Sequence, residues 1–477
     1  MKKTNVFKKN VISTLITKSI AQSIVKATIT ATMLASAQAS AAGFQVNVQS
    51  ASALGNANAG FAANTDNAAV IGTNPAAAAS FDKFAFSFGG AYIEPSVETT
   101  GENAPLDPYY SNFNAGFGTN YSGENESDYD VEDSVNPAAV PSVYAVIPVS
   151  SKLAIGLAGY TNYGTNTEFP EDYAAGLLGG STQLTTFNLN PSLAFKLGSK
   201  IRFGVGAQIV YGSAELERNL GDAAALGVMS NVAAYAKTGA SAAQIGGAIA
   251  ANNAQLSGQA AGTQAFIMEG DDIGFGWNAG VLFDLSDNHK IGASYRSEVE
   301  LTFEGEYSNY QGADLTGQLD LSLPAMAELG GFHRVGNIAL QYGVVWTEWS
   351  SFDGLKGVAT ENTDLVLFEK AYNYEDNIRY SAGLSYYLGE TIILRAGYAL
   401  DEAAGDTTIS IPDSERQWYT AGLTFKVTKT LSLDLAAAYI IGEDTSFEET
   451  DTNTGLTYAF TNKAEAVVAS AQMNLVF

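Results

Sequence analysis

The chain has 477 residues, no cysteine and a formal net charge of −26. The missing cysteines exclude a disulfide framework, a thiol nucleophile and a thiolate metal site, and the acidic balance argues against nucleic-acid binding, which needs a basic face. A mean hydropathy near zero, with 48 glycines, 24 tyrosines and 24 phenylalanines against 16% charged residues, fits an all-β chain whose polar and apolar residues alternate.

Residues 1–41 read as an export signal. They carry Lys2, Lys3, Lys8, Lys9, Lys18 and Lys26, no acid, an apolar stretch over 27–37, and they end in Ala39-Ser40-Ala41, a small-residue cleavage pattern. An amphipathic membrane anchor is the alternative. No later stretch offers the roughly 18 uninterrupted apolar residues of a spanning helix, which leaves a soluble periplasmic protein or a β-barrel. Residues 42–83 do not alternate. They begin Ala42-Gly43-Phe44-Gln45, continue rich in Ala, Gly, Asn and Ser, and reach Asn74-Pro75-Ala76. Small, lightly charged side chains suit close packing, so this segment is predicted to plug a lumen, with a disordered lead-in as the other reading.

From residue 84 onward the apolar period is two. Phe84, Phe86, Phe88 and Tyr92 share one face; Phe187, Leu189, Leu193 and Phe195 share another. Ile291, Ala293, Tyr295, Val299, Leu301 and Phe303 form a third run, opposite Arg296, Glu298 and Glu300. Similar runs recur at 201–211, 275–285, 338–346, 378–388, 392–400 and 431–439, and about fourteen strands are expected over the whole chain, an even number as a bacterial barrel needs. Short turns at 198–200, 286–289, 389–390 and 428–429 alternate with long polar insertions at about 99–135, 219–271, 307–314, 350–370, 402–414 and 442–456. The Ala-rich stretch 222–264 reads as a helical surface loop. The last strand places Val467, Ala469, Ala471, Met473, Leu475 and the terminal Phe477 on one face. That pattern suits pairing with the first strand, which removes the sheet edges, and recognition by the outer-membrane assembly machinery. The expected fold is an all-β transmembrane barrel of about 14 antiparallel strands: signal peptide 1–41, plug 42–83, barrel 84–477.

Several pieces in chain order resemble the FadL family of long-chain fatty acid outer-membrane transporters. They are Ala42-Gly43-Phe44-Gln45, the stretch 52–60, Asn74-Pro75-Ala76, and Thr161-Asn162-Tyr163-Gly164 with Thr167-Glu168-Phe169. They continue through the stretch 274–280, Tyr295-Arg296-Ser297-Glu298-Val299, the stretch 347–352, and Ile409-Ser410-Ile411-Pro412-Asp413. The resemblance implies a barrel closed by an N-terminal hatch, an apolar pocket that takes the acyl chain, and sideways exit at a kinked third strand. Uptake would be passive. Arg218 and Lys356 fall where the family keeps its pocket cations, and a cation suits a carboxylate headgroup; the other reading pairs Arg218 with Glu217 or Glu215. Phe44 is the hatch residue expected at the pocket, Asn74, Pro75 and Ala76 should set the hatch turn, and Asn162 and Gly164 should mark the lateral opening. Asp376, Arg379 and Arg416 are expected to face the lumen.

His289 and His333 sit in a turn and near a strand start, with no serine placed for nucleophilic catalysis, so no enzyme activity, cofactor or metal is expected. The expected partners are long-chain fatty acids or other hydrophobic small molecules, outer-membrane lipid and lipopolysaccharide, around a monomer. A same-fold channel for aromatic or alkane hydrocarbons, a general diffusion porin and a surface receptor are the alternatives.

Overall fold

The computed structural model describes residues 43–122 and 126–477, so the expected leader lies outside the described residues. Fourteen antiparallel strands form the wall: β1 (Ala85–Gly101), β2 (Ala138–Pro148), β3 (Leu153–Tyr160, resumed at Gly164–Glu168), β4 (Ser181–Leu197), β5 (Ile201–Asn219), β6 (Gln264–Ser286) and β7 (His289–Arg296, resumed at Val299–Asn309). The second half comprises β8 (Asp314–Leu323, resumed at Met326–Val335), β9 (Ile338–Thr347, resumed at Gly354–Ala359), β10 (Asn362–Ala371, resumed at Asn377–Leu388), β11 (Ile392–Asp401), β12 (Arg416–Lys426), β13 (Leu431–Gly442, resumed at Thr445–Thr450) and β14 (Thr457–Val476).

Each strand pairs with its chain neighbours, and β14 closes on β1 in a register running from Ala85↔Val476 to Gly101↔Phe460. Closure removes both sheet edges, a requirement where no water can satisfy them. The terminal residue takes part: the Phe477 N–H donates to the Phe84 carbonyl at 2.9 Å, and the two rings stack at 6.3 Å. The short turns lie at this end of the barrel; the long connections and the loop helices Asp107–Phe117, Asp222–Lys237 and Ala242–Ala251 lie at the other.

The burial pattern is that of a barrel in lipid. Phe88, Tyr92, Leu193, Phe195, Phe275 and Trp277 are exposed on the outer face, while Asn188, Asn190, Gln208, Asn278 and Gln341 are buried in the lumen. The run 291–303 is not continuous as its alternation implies. The ladder with β6 sums differently on either side of Ser297-Glu298, from Asn278↔Arg296 to Asp271↔Glu304, so one residue slips out of register. Tyr295 faces outward, whereas Val299, Leu301 and Phe303 are buried in the lumen. A one-residue slip turns every following side chain to the opposite face. The insertion expected at 350–370 is likewise largely strand, a hairpin between the outer halves of β9 and β10.

The lumen is filled by the segment from Phe44 to Ser80, folded as four short helical turns: Ala51–Leu54, Phe61–Ala63, Ala68–Gly72 and Pro75–Ser80. Its alanines press on wall glycines. At Gly204, Gly280, Gly292 and Gly397 an added Cβ would overlap the plug at Ala76, Asn74, Ala62 and Asn56, and at Gly422 it would sit 2.7 Å from the Gly55 Cα. Wall side chains satisfy the plug's backbone: Glu328 accepts from the Ala62 N–H at 2.9 Å, Arg202 donates to the Ala79 carbonyl at 3.3 Å, and Gln472 accepts from the Ala51 N–H at 3.2 Å. Near the turn end of the lumen, Arg395 meets Asp66 at 3.5 Å and Lys290 meets Thr65. A small-residue segment thus lies where larger side chains could not fit, held by polar groups that also satisfy it.

Gly280→Val should unseat the plug without breaking the wall. The expected result is normal heat-modifiable migration of the folded barrel with increased passage of a large polar antibiotic into intact cells. Unchanged permeability would show that the Gly280 contact does not hold the plug.

Candidate functional site

Asn74 caps the turn Pro75–Ser80: its side-chain oxygen accepts from the Ala76 N–H at 3.0 Å, with Pro75 at the first position where a missing N–H costs nothing. Its amide donates to the Ala62 carbonyl at 2.8 Å and to the Val281 carbonyl of β6 at 3.1 Å. One asparagine therefore ties two plug turns to the wall.

At the other end of the plug, Phe44 is buried in a cage of aromatic rings. Trp349, Phe352 and Tyr163 meet it edge-on at 4.8, 5.2 and 5.9 Å, a geometry favoured by ring quadrupoles. Trp349 and Phe352 come from the break in β9, and Tyr163 from the break in β3. The Tyr163 hydroxyl donates to the Pro324 carbonyl, 2.7 Å away in the break of β8. Beside Phe44 lies an apolar cavity lined by Leu184, Leu216, Met268, Phe303, Leu319, Leu321, Leu355 and Ile411.

The break in β3 is a defect in the wall. β2 pairs with β3 only from Val143↔Gly159 to Pro148↔Ala154, and the resumed half Gly164–Glu168 pairs with β4. Residues 138–142 of β2 have register partners in β1 alone. Thr161, Asn162 and Tyr163 leave the ladder, and the start of the plug pairs with the last two of them and with Gly164. The Gly164 N–H donates to the Phe44 carbonyl at 2.7 Å, and the Val46 N–H donates to the Asn162 carbonyl at 2.9 Å, around the isolated pair Gln45↔Tyr163. Thr161 and Thr186 supply further bonds, to the Thr186 carbonyl at 2.7 Å and the Tyr163 carbonyl at 2.5 Å.

Arg218, near the end of β5, is 0% exposed. It donates to the carbonyls of Ser181 and Glu217 at 2.8 and 2.7 Å and to the Thr182 hydroxyl at 3.1 Å, and lies over the Phe368 ring at 5.9 Å. No ion pair of Arg218 occurs among the described residues; it does not bridge to the Glu217 or Glu215 carboxylates. Thr182 lines the cavity beside Phe44, while Phe368 lines a larger one, about 2980 Å³, among the outer strands and loop helices. Arg218 lines neither space itself and touches a lining residue of each.

Two expected residues are elsewhere. Lys356 lies on the outer half of β9, its side chain 54% exposed, 3.2 Å from Glu369; its neighbour Leu355 is the one that faces the cavity. Strand alternation, hidden where a loop was expected, turns Lys356 away. Asp376 is exposed and binds the Trp346 ring N–H at 3.1 Å and the Ser350 hydroxyl at 2.6 Å, holding the outer surface at the β9 and β10 breaks instead of facing the lumen. Arg379 and Arg416 do face inward. Arg416 pairs with Asp413 at 2.7 Å; burial pushes the Asp413 carboxyl up, opposed by Arg416 and by the backbone N–H groups of Ala404, Gly43 and Ser414. Asp413 thereby also holds the first residues of the plug.

Lys370 was not among the expected residues. Its ammonium pairs with Glu449, donates to the Ser410 hydroxyl at 2.8 Å, approaches the Tyr372 ring at 5.2 Å and lines the larger cavity. Its sequence signal was its place in the strand-like run Leu365-Val366-Leu367-Phe368, two residues past Phe368. His289 and His333, remote in sequence, meet across β7 and β8 with their Nδ1 atoms 3.2 Å apart. Among the described residues, no group of three or more metal-ligating side chains occurs.

Phe44→Ala should loosen the plug's start, since removing a buried ring costs about 3–5 kcal/mol. Amide exchange at Val46 and Gly164 is expected to accelerate at least about tenfold, with the β14–β1 ladder unchanged. Equal protection in both forms would mean that the aromatic cage does not hold this segment.

The family model for outer membrane protein transport protein (OMPP1/FadL/TodX) matches residues 32–477. The chain is 34% identical to the long-chain fatty acid transport protein of Escherichia coli (strain K12), over 92% of this chain and 95% of that one. It is also 34% identical to outer membrane protein P1 of Haemophilus influenzae, over 92% and 95%. Among solved structures, a Pseudomonas aeruginosa FadL homologue superposes with a TM-score of 0.73 at 20% identity, covering 91% of this chain and 99% of that one. The Pseudomonas putida toluene transporter TodX superposes at 0.61 and 18% identity, covering 91% and 100%. This chain belongs to the OMPP1/FadL/TodX family of outer-membrane transport proteins, and its plugged fourteen-stranded barrel resides in the outer membrane.

Proposed function

We propose that the protein takes up long-chain fatty acids by passive diffusion, gated by the plug acting as a hatch, with sideways exit through the break in β3. The observation that carries this reading is Arg218, a buried guanidinium without a carboxylate partner among the described residues, in contact with Thr182 of the apolar cavity at Phe44 and with Phe368 of the loop-end cavity. The acyl tail gains about 0.8 kcal/mol per buried CH₂ in such a cavity. The carboxylate, which an acidic surface repels, gains a charge-assisted hydrogen bond at Arg218. The relatives named long-chain fatty acid transport protein support the substrate class.

The gate follows from the bonding at β3. Phe44 borders the cavity, and its own carbonyl closes the wall at Gly164. A tail that displaces the Phe44 ring therefore pulls on the strand that fills the gap. Released, residues 161–163 would leave an opening beside residues 138–142 of β2, which pair with β1 alone. An apolar molecule leaves through a lipid-facing gap at little cost, whereas a polar solute does not.

Two experiments test this. Arg218→Ala should weaken oleate binding to the purified protein by about tenfold or more while leaving oleyl alcohol binding near the parent value; equal loss for both ligands would assign Arg218 to packing. In the cysteine-free chain, Gln45→Cys with Tyr163→Cys places two thiols on a directly paired position, where a disulfide can form. Oxidation should stop oleate uptake by cells lacking their own transporter, and reductant should restore it. Uptake that is equal in oxidised and reduced cells rules out the hatch as the gate.

A further inference from the structure

Deeper in the lumen is another cavity, lined by the plug residues Gln45, Asn47 and Gln49, by Asn162 at the β3 break, and by Arg296, Glu328 and Arg379 of the wall. Its surroundings are polar in a passage otherwise suited to an apolar cargo. The charged groups are unequally satisfied. Arg296 donates to the Gln208 side chain at 2.7 Å and to the Gly72 carbonyl at 2.5 Å, with the Tyr160 ring 5.2 Å beneath it. Glu328 accepts the Ala62 N–H.

Arg379 is different. It is 4% exposed, lies over the Trp418 ring at 4.9 Å, and its Nε stands 3.8 Å from the Asp401 carboxylate, beyond hydrogen-bond reach. Its Nε and Nη2 have no hydrogen-bond partner. A guanidinium presents five N–H groups in a planar fork matched to a carboxylate, and leaving two of them buried without an acceptor is costly. The side chain thus lines a polar cavity that borders the gap in β3 while two of its buried donors stay unpartnered.

We propose that Arg379 forms a second carboxylate-binding station, which receives the headgroup of the fatty acid after it leaves Arg218 and holds it while the tail enters the gap in β3. This rests on the fatty acid reading above and adds a step to it. The chemistry recognised is a monocarboxylate on an apolar tail; Arg296, engaged by Gln208 and Gly72, adds positive field beside it. A hydrocarbon or an alcohol would pass without using the station.

The test compares labelled oleate and labelled oleyl alcohol uptake in cells lacking their own transporter, producing the parent chain, Arg379→Gln or Arg379→Lys, each checked for heat-modifiable folding. Arg379→Gln should lower oleate uptake about tenfold, the size of one charge-assisted hydrogen bond, with oleyl alcohol uptake unchanged; Arg379→Lys should recover most of the oleate uptake. Equal loss for both cargoes, or no loss for oleate, overturns the proposal. Oleate binding to the purified parent and Arg218→Ala proteins is measured separately. If Arg218→Ala binds oleate as well as the parent, the outer-pocket reading fails, whatever the Arg379 ratio shows.

Discussion

A barrel in lipid must satisfy every backbone N–H and carbonyl within its own wall, because the hydrocarbon offers no substitute. Several strands of this wall are interrupted, and β3 breaks between Tyr160 and Gly164. There the missing partner is supplied by the plug, through the Phe44 carbonyl and the Val46 N–H. The integrity of the wall and the position of the plug are therefore one quantity. The Phe44 ring, caged by Trp349, Phe352 and Tyr163, places an apolar contact on the same residue that completes the wall.

The plug can be held at many points because its side chains are small. Each close approach of Asn56, Ala62, Asn74 and Ala76 to a wall glycine brings plug backbone within reach of inward polar groups, and those groups take over its hydrogen bonding. The contacts at Asn74, Ala62 and Asp66 lie on plug turns remote in sequence from Phe44. The part bonded to β3 is a short extended stretch, residues 44–46, preceding the first helical turn. The helical body and this extended stretch are therefore held by separate sets of contacts. The polar lumen makes a related division: apolar surface is concentrated at the Phe44 cavity, and charge is concentrated at Arg218 above it and at Arg296, Glu328 and Arg379 deeper in.

Much of this was legible in residue patterns. The alternating runs, the strand count, the short turns, the terminal Phe477 and the helical insertion all follow from local periodicity and turn chemistry, which tertiary context rarely overrules in a barrel. The plug was legible by contrast, as the stretch that does not alternate. Phe44, Asn74 and Asn162 were found through motif resemblance. Lys356 and Asp376 were misplaced, because a side chain's face depends on whether its backbone is strand and in which phase. Lys370, two residues from Phe368, was missed for the same reason.

The sequence by itself determined the class of the protein: period-two apolar patterning with a final aromatic strand dictates a closed sheet whose outside is lipid-facing, since side chains one apart must point to opposite faces. It also determined which segment would be too small-residued and irregular to join that sheet. What only the tertiary structure decided is the phase of each strand after its break and the partner of each inward charge. The slip at Ser297-Glu298 sends Val299, Leu301 and Phe303 into the lumen, where the alternation alone placed them with Tyr295. The Nε of Arg218 and the Nε and Nη2 of Arg379 lack acceptors only because of what the folded wall and plug leave beside them. Register and pairing are long-range quantities, set by closure of the barrel around the plug, and no local pattern encodes them.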